Sequence, residues 1–388
     1  MTGCKRSTGR VVPWLIPTAA YLHIPFCQHH CGYCDFAVAS GQDHQIDLYL
    51  EALGCELATL GQPAPVKTLF LGGGTPTYLS PRQLERLLAL IQQWLPMETP
   101  GEFSIESTPE SITPEKIAVL ATGGVNRISI GVQTFHPHLL PALDRIHQPE
   151  HVAPAVAAAR ALGMAVSLDL IFGVPGQSLD DWRNDLRRAL EFQPDHLSTY
   201  GLTYEKGTPL WKDRERGKVK SLDEESELAM YEMAMDVLAE AGFEHYEISN
   251  FARPGRRCRH NEVYWANHAY HGFGMGAARY FGGKREVNTR SLPEYLKRTL
   301  SGESAIFQSE KLENEDRARE TAVVQIRRSD GIERNAFREQ TSMDLDAMLG
   351  AKLRFHIEER LLEDDGQSVH LTRRGKCVAD ALATDWLG

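Results

Sequence analysis

The chain has 388 residues, 42% hydrophobic and 24% charged, the balance of a globular protein with room for more than one core. Lys and Arg number 42 against 52 Asp and Glu, a formal charge of −10, which argues against a nucleic-acid partner because such binding needs clustered cations. There is no apolar run long enough to span a bilayer, so no transmembrane segment is expected. Seven cysteines without a paired framework suit a reducing, cytoplasmic setting.

Residues 1–17 read as a short, mildly basic N-terminal extension. Ala20 to Ile24 is an apolar run that predicts a strand ending at Pro25. A loop follows with Cys27, Cys31 and Cys34, spaced so that three thiolates can converge on one inorganic centre. Thiolates select zinc, copper(I) or iron–sulfur clusters, and no fourth Cys nearby completes a structural zinc set. Asp43 to Leu60 has apolar residues at helical spacing. Val66 to Leu71 is a second short strand, running into the glycine-rich turn Gly72 to Pro76, where a backbone without side chains can approach a ligand. Ser80-Pro81 opens the next helix as cap and first residue.

The alternation then repeats. Strands are expected at Phe103–Glu106, Arg127–Val132, Val166–Phe172 and His196–Leu202, with helices at Pro114–Ala121, Pro149–Leu162 and Leu179–Phe192. Six strands alternating with helices predict an α/β fold, a full or partial parallel barrel over residues 18–250. Glu106, Gln133 and Asp169 then fall at strand ends, where barrels gather their chemistry, with Arg145 in a following loop. Asp223 to Gly242 reads as a helix and Phe243 to Asn250 as a strand. Residues 251–310 form a connecting region rich in aromatics and glycine, and residues 311–388 a helix-rich C-terminal domain. That last unit looks winged-helix-like, but it carries more Asp and Glu than Lys and Arg, so a packing or substrate-covering role is expected. Cys4, Cys55 and Cys377 are scattered and read as structural.

The Cys-x3-Cys-x2-Cys loop followed by Gly-Gly-Gly-Thr-Pro resembles the radical S-adenosylmethionine (radical SAM) superfamily. The resemblance implies a [4Fe-4S] cluster on Cys27, Cys31 and Cys34 with one iron left for SAM. It implies SAM contacts at Tyr21, Tyr33, Gly73, Gly74, Thr75, Glu106, Gln133, Arg145 and Asp169. Nearly the whole chain is similar to the oxygen-independent coproporphyrinogen III oxidase family, including Tyr-x-His-Ile-Pro-Phe at Tyr21 and the C-terminal Leu-Thr-x-x-Gly. One departure selects a branch. The oxidases carry a fourth cysteine two residues after the third; here that position is Phe36. Cys34-Asp35-Phe36 and the later His260-Asn261-Glu262-Val263-Tyr264-Trp265 resemble the HemW-type haem chaperones.

That resemblance implies haem as cargo, an apo-haemoprotein acceptor (a membrane-associated respiratory protein being one candidate) and an electron donor for the cluster. Its His-Asn-x-x-Tyr-Trp signature implies haem contacts at His260, Asn261, Tyr264 and Trp265, with Tyr270 and Phe273 as further flat faces. Cys258, His268 and His271 are alternative iron ligands, since this chain has Ala278 where relatives place a histidine after Gly-Ala. Two classes of function follow: a delivery protein without classical turnover, or a radical enzyme that decarboxylates a porphyrinogen or acts on another substrate.

Overall fold

The structure, a computed structural model, describes residues 12–387; Cys4 and residues 1–11 of the N-terminal extension lie outside the described residues. Six parallel strands run in the order of the chain: β1 (Ala19–Ile24), β2 (Val66–Gly73), β3 (Met97–Ser107), β4 (Arg127–Gln133), β5 (Ala165–Phe172) and β6 (His196–Gly201). Helices α1 (Ile46–Ala58), α2 (Pro81–Trp94), α3 (Pro114–Thr122), α4 (Val152–Ala161) and α5 (Leu179–Glu191) cross between them. Each crossover buries an apolar stripe against the outer face of the sheet. In α2 the stripe is Leu84, Leu87, Leu88 and Ile91, spaced i, i+3, i+4, i+7, and a Ser80–Gln83 capping box with Pro81 starts the helix. Trp182 of α5 is fully buried and its indole donates to the Met230 carbonyl at 2.8 Å.

The expected strand over Phe243–Asn250 is instead a pair. β7 (Glu244–His245) and β8 (Asn250–Ala252) run antiparallel, because the buried Glu247 sits in the bend between them and its carbonyl accepts from Asn250 N at 3.3 Å. β8 adds antiparallel to β6, and β9 (His271–Phe273) adds parallel to the far edge, on β1. The sheet therefore reads β9-β1-β2-β3-β4-β5-β6-β8-β7. It is the (β/α)6 partial barrel expected, extended at both edges by strands from the connecting region.

Leu69 and Leu71 of β2 pack outward into the main core, so Thr68, Phe70 and Gly72 face the lumen. By the same alternation Tyr21, Glu102, Ser104, Glu106, Arg127, Ser129, Ser167, Asp169, His196 and Ser198 face inward. Contacts between neighbouring strands on that face agree: Ser129 donates to Asp169 at 2.9 Å, and Ser167 Oγ lies 2.8 Å from His196 Nδ1. A second core, from Ala318 through Phe337, Leu349 and Val369 to Trp386, holds the C-terminal helices and a three-stranded antiparallel sheet together.

Candidate functional site

The mouth of the barrel, at the C-terminal ends of its strands, opens into a cavity of about 1250 Å³. Cys27, Cys31 and Cys34 all line it. Cys27 closes the two-residue strand Phe26–Cys27, and its sulfur lies 3.4 Å from Thr75 Oγ1. Cys34 N donates to the Cys31 carbonyl at 3.1 Å, and Arg145 Nη1 donates to the Cys31 sulfur at 3.4 Å. Burial and the neighbouring thiols push Cys27 up to about 12, and burial pushes Cys34 up to about 11. Neutral thiols gathered this way favour a cation that displaces their protons. The three sulfurs are not close enough to meet on a single ion: the group of His, Cys, Asp or Glu ligand atoms found within 4.8 Å of one another lies elsewhere. A cluster, with one iron per thiolate, suits the wider spread.

The glycine turn is locked to this loop. Gly73 has φ +111°, and a Cβ there would stand 2.4 Å from the His23 ring; a Cβ on Gly74 would meet the Pro25 carbonyl at 2.7 Å. Gly74 N donates to Ile24 O at 2.9 Å, and Thr75 N to Phe26 O at 2.9 Å. Gly73 N donates to Glu106 Oε2 at 2.8 Å. Burial, with Asp169 beside it, raises the Glu106 carboxyl to about 7. Burial also raises Asp169, against the pull of the Ser198 and Ser129 hydroxyls. Arg145 spans the mouth, donating from Nη2 to Gly131 O at 2.7 Å and from Nε to His147 Nδ1 at 3.2 Å. Burial opposes its charge, but Tyr33 and Cys31 beside it hold its pKa above the ordinary range. Gln133 sits in the left-handed region at φ +65° with its amide folded over Gly131.

Tyr33, Gly73, Gly74, Thr75, Glu106, Gln133, Arg145 and Asp169 line the same cavity as the cysteines. Tyr21 lies one layer lower, its hydroxyl on His23 Nδ1 at 3.1 Å and its ring stacked with Phe70. Glu110 Oε2, another atom of the cavity wall, is buried without a partner.

The residues of the His-Asn-x-x-Tyr-Trp motif are not in this cavity. They form a short helix, which we call α8 (Arg259–Trp265), counting α6 (Pro209–Glu215) and α7 (Glu224–Glu240) before it. α8 enters the opposite end of the lumen and seals it. His260 is fully buried; Thr68 Oγ1 meets its Nδ1 at 3.0 Å and Tyr264 Oη its Nε2 at 2.9 Å. Glu102 caps the helix, accepting from Arg259 N and His260 N at 3.1 Å each and from the Cys258 thiol at 3.4 Å. Trp265 lies under Arg327, and Gln325 and Gln340 of the C-terminal domain both donate to the Ala266 carbonyl. In this fold neither ring nitrogen of His260 is free for iron. Tyr270 packs edge-on against Tyr264 and Phe273 is in the core, while Asn261, Tyr264, Trp265 and Tyr270 are half-buried. His260 is the member of the motif that is buried in the barrel floor.

Sequence reasoning missed the far wall of the cavity. Arg327 and the segment Lys376-Cys377-Val378 come from the C-terminal domain; Leu228 and Tyr231 come from α7. Cys377, read as structural, is in fact part of this lining. Nothing in the local pattern marks these residues, since only the packing of α7 and of the C-terminal domain at the mouth brings them in. Cys55 is exposed on α1 and Cys258 buried at the floor.

Comparison with known proteins agrees with the layout. Residues 21–189 match the radical SAM superfamily model and residues 312–378 the HemN C-terminal domain model. The Bacillus subtilis protein named Heme chaperone HemW is 36% identical over 95% of this chain and 99% of its own length. The Escherichia coli protein of the same name is 38% identical over 68% of this chain and 70% of its own length. The solved structure of E. coli coproporphyrinogen III oxidase (HemN), a radical SAM enzyme, superposes with a TM-score of 0.84 over 97% of this chain and 91% of that one, at 23% identity, a likeness of fold. The chain belongs to the HemW family of radical SAM proteins.

Proposed function

We propose that the protein is a haem chaperone. It carries a [4Fe-4S] cluster on Cys27, Cys31 and Cys34 with SAM beside it, binds haem, and passes it to an acceptor protein. The supporting observation is the cavity itself. At about 1250 Å³ it exceeds the roughly 300–1,000 Å³ that one ligand of ordinary size occupies. The lining holds the thiols and the polar strand ends, and also the apolar Phe172, Leu202, Leu228, Tyr231 and Val378 with the cations Arg327 and Lys376. Apolar faces suit a macrocycle, and cations suit its carboxylates. We therefore place haem against these apolar residues. Ligation by His260 would require α8 to leave the barrel floor, giving up its bonds to Thr68, Tyr264 and Glu102. The motif's proposed role is to hold the C-terminal domain against the barrel.

When bound, the cluster would supply one electron, taken from an external donor, to the SAM beside it. This chain's residues would hold SAM: Glu106 and Asp169 toward its hydroxyl and ammonium groups, and Arg145 toward its carboxylate. Phe36, 61% exposed on the cavity wall, stands where the oxidases have a further cysteine, which favours delivery over porphyrinogen decarboxylation. Anaerobic incubation of the reconstituted protein with SAM, reductant and coproporphyrinogen III, alongside haemin titration, decides between them. About one haem per chain without protoporphyrinogen formation is expected; catalytic protoporphyrinogen formation with SAM consumed in proportion would restore the oxidase.

A further inference from the structure

Beyond β4 the chain turns through His136-Pro137-His138 and packs on the start of α5. The turn is held firmly. Asp185, fully buried on α5, accepts from Phe135 N at 2.7 Å and Thr134 Oγ1 at 2.8 Å, and Arg188 Nη1 donates to the Phe135 carbonyl at 3.1 Å. In the first turn of α5, Asp181 uses Oδ2 for its capping box, accepting from Ser178 N at 2.9 Å and Ser178 Oγ at 2.6 Å. Its Oδ1 faces two imidazoles, with His136 Nδ1 at 3.6 Å and His138 Nε2 at 3.9 Å. The three side chains offer ligand atoms that all lie within 4.8 Å of one another. The two rings meet at 66° with centroids 5.4 Å apart, edge to face and not stacked.

A second feature bears on what these atoms are for. His136 Nε2 lies 3.0 Å from the Asp181 backbone carbonyl, with an Asp185 carboxylate oxygen at 3.8 Å. A carbonyl can only accept, so the ring donates from Nε2 and turns Nδ1 toward Asp181. We infer that His136, His138 and Asp181 form a divalent metal site, zinc by its donor set. Two imidazoles and one carboxylate suit zinc, without the thiolates that would select copper(I) or a cluster. The carbonyl that fixes the His136 tautomer is the outer-shell partner a metal-bound histidine keeps. The His138 side chain is 59% exposed, which leaves a fourth position to water. None of the three residues lines the cysteine cavity, so the site is separate from the cofactor site and does not depend on the haem reading. An ion here pins the end of β4 to α5. Gln133, three residues before His136, does line the cavity, and this wall would be stiffened.

The test uses untagged protein with its cluster reconstituted, so that zinc cannot settle on Cys27, Cys31 and Cys34. Zinc is titrated in competition with a chromophoric chelator, and the zinc K-edge, which ignores iron, reads the first shell. The expected result is one zinc per chain with nitrogen and oxygen neighbours at roughly 2.0–2.2 Å and no sulfur at roughly 2.3 Å. His138→Ala, an exposed position that should fold normally, and Asp181→Asn should each weaken zinc tenfold or more while iron content stays constant. A sulfur shell, no zinc retained by wild type, or unchanged affinity in His138→Ala would each overturn the site.

Discussion

The two ends of one lumen make an instructive pair. At the floor, polar groups are spent on one another: Glu102 on the α8 amides and the Cys258 thiol, His260 on Thr68 and Tyr264, His196 on Ser167 and on Tyr246 at 2.8 Å. Arg127 Nη2 is left without a partner there. At the mouth, Cys27, Cys34, Glu106 and Asp169 face an open cavity with their pKa values raised by burial, and the C-terminal domain covers them without filling the space. Buried polar groups satisfied within the protein hold a fold together; those whose charge is left uncompensated around a cavity await a ligand. A motif of chemically capable residues is therefore no guide to a site until its hydrogen bonds are counted.

The contrast breaks first at the cysteines. Cys31→Ser should abolish the cluster, with loss of nearly all bound iron and of the broad visible absorption, while the thermal midpoint of the iron-free protein stays within a few degrees of iron-free wild type. Retention of about four irons per chain would remove the mouth from the account. Next in size is SAM. Gln133→Ala combined with Asp169→Asn should weaken SAM binding tenfold or more by calorimetry at unchanged iron content, and equal affinity would show that the strand ends do not hold it.

The floor gives the opposite phenotype. His260→Ala removes a buried group with two partners and should cost about 2–4 kcal/mol of stability in denaturant unfolding, with iron content of the folded fraction unaltered. A loss below about 0.5 kcal/mol would mean the floor is not the fastening described.

The smallest effect is on pH dependence. Burial lowers His260 to about 3, so the folded protein keeps it neutral while the unfolded chain takes a proton near pH 6.5. Its contribution is complete above pH 6.5 and lost as pH falls toward 3, roughly 1.4 kcal/mol per pH unit below 6.5. Wild type should thus lose about 2 kcal/mol more than His260→Gln between pH 7 and pH 5; parallel curves would contradict the assignment.

How far the sequence carried can be judged from the same two ends. The barrel was readable because each β/α crossover has its own period and caps, as in the Ser80-Pro81 start and the buried stripe of α2. The cysteine loop and glycine turn were readable because their spacing is local. His260 was the ambiguous case, because an imidazole that ligates iron and one that fills a barrel floor look alike in sequence. Only long-range partners, Thr68 and Glu102, distinguish them. Leu228, Arg327 and Cys377 carried no signal, since a wall made by one domain packing over another exists only in three dimensions.

The central claim, that ligands are handled at the mouth while the motif helix fastens the floor, is tested most directly by haem titration of two variants followed in the Soret band. Leu228 is 44% exposed on the cavity wall, so Leu228→Glu should fold and set a charge against the macrocycle. The account predicts that Leu228→Glu weakens haem tenfold or more, whereas folded His260→Ala binds within threefold of wild type with an unshifted Soret band. Loss of haem or a shifted band in His260→Ala, with Leu228→Glu unaffected, would contradict it.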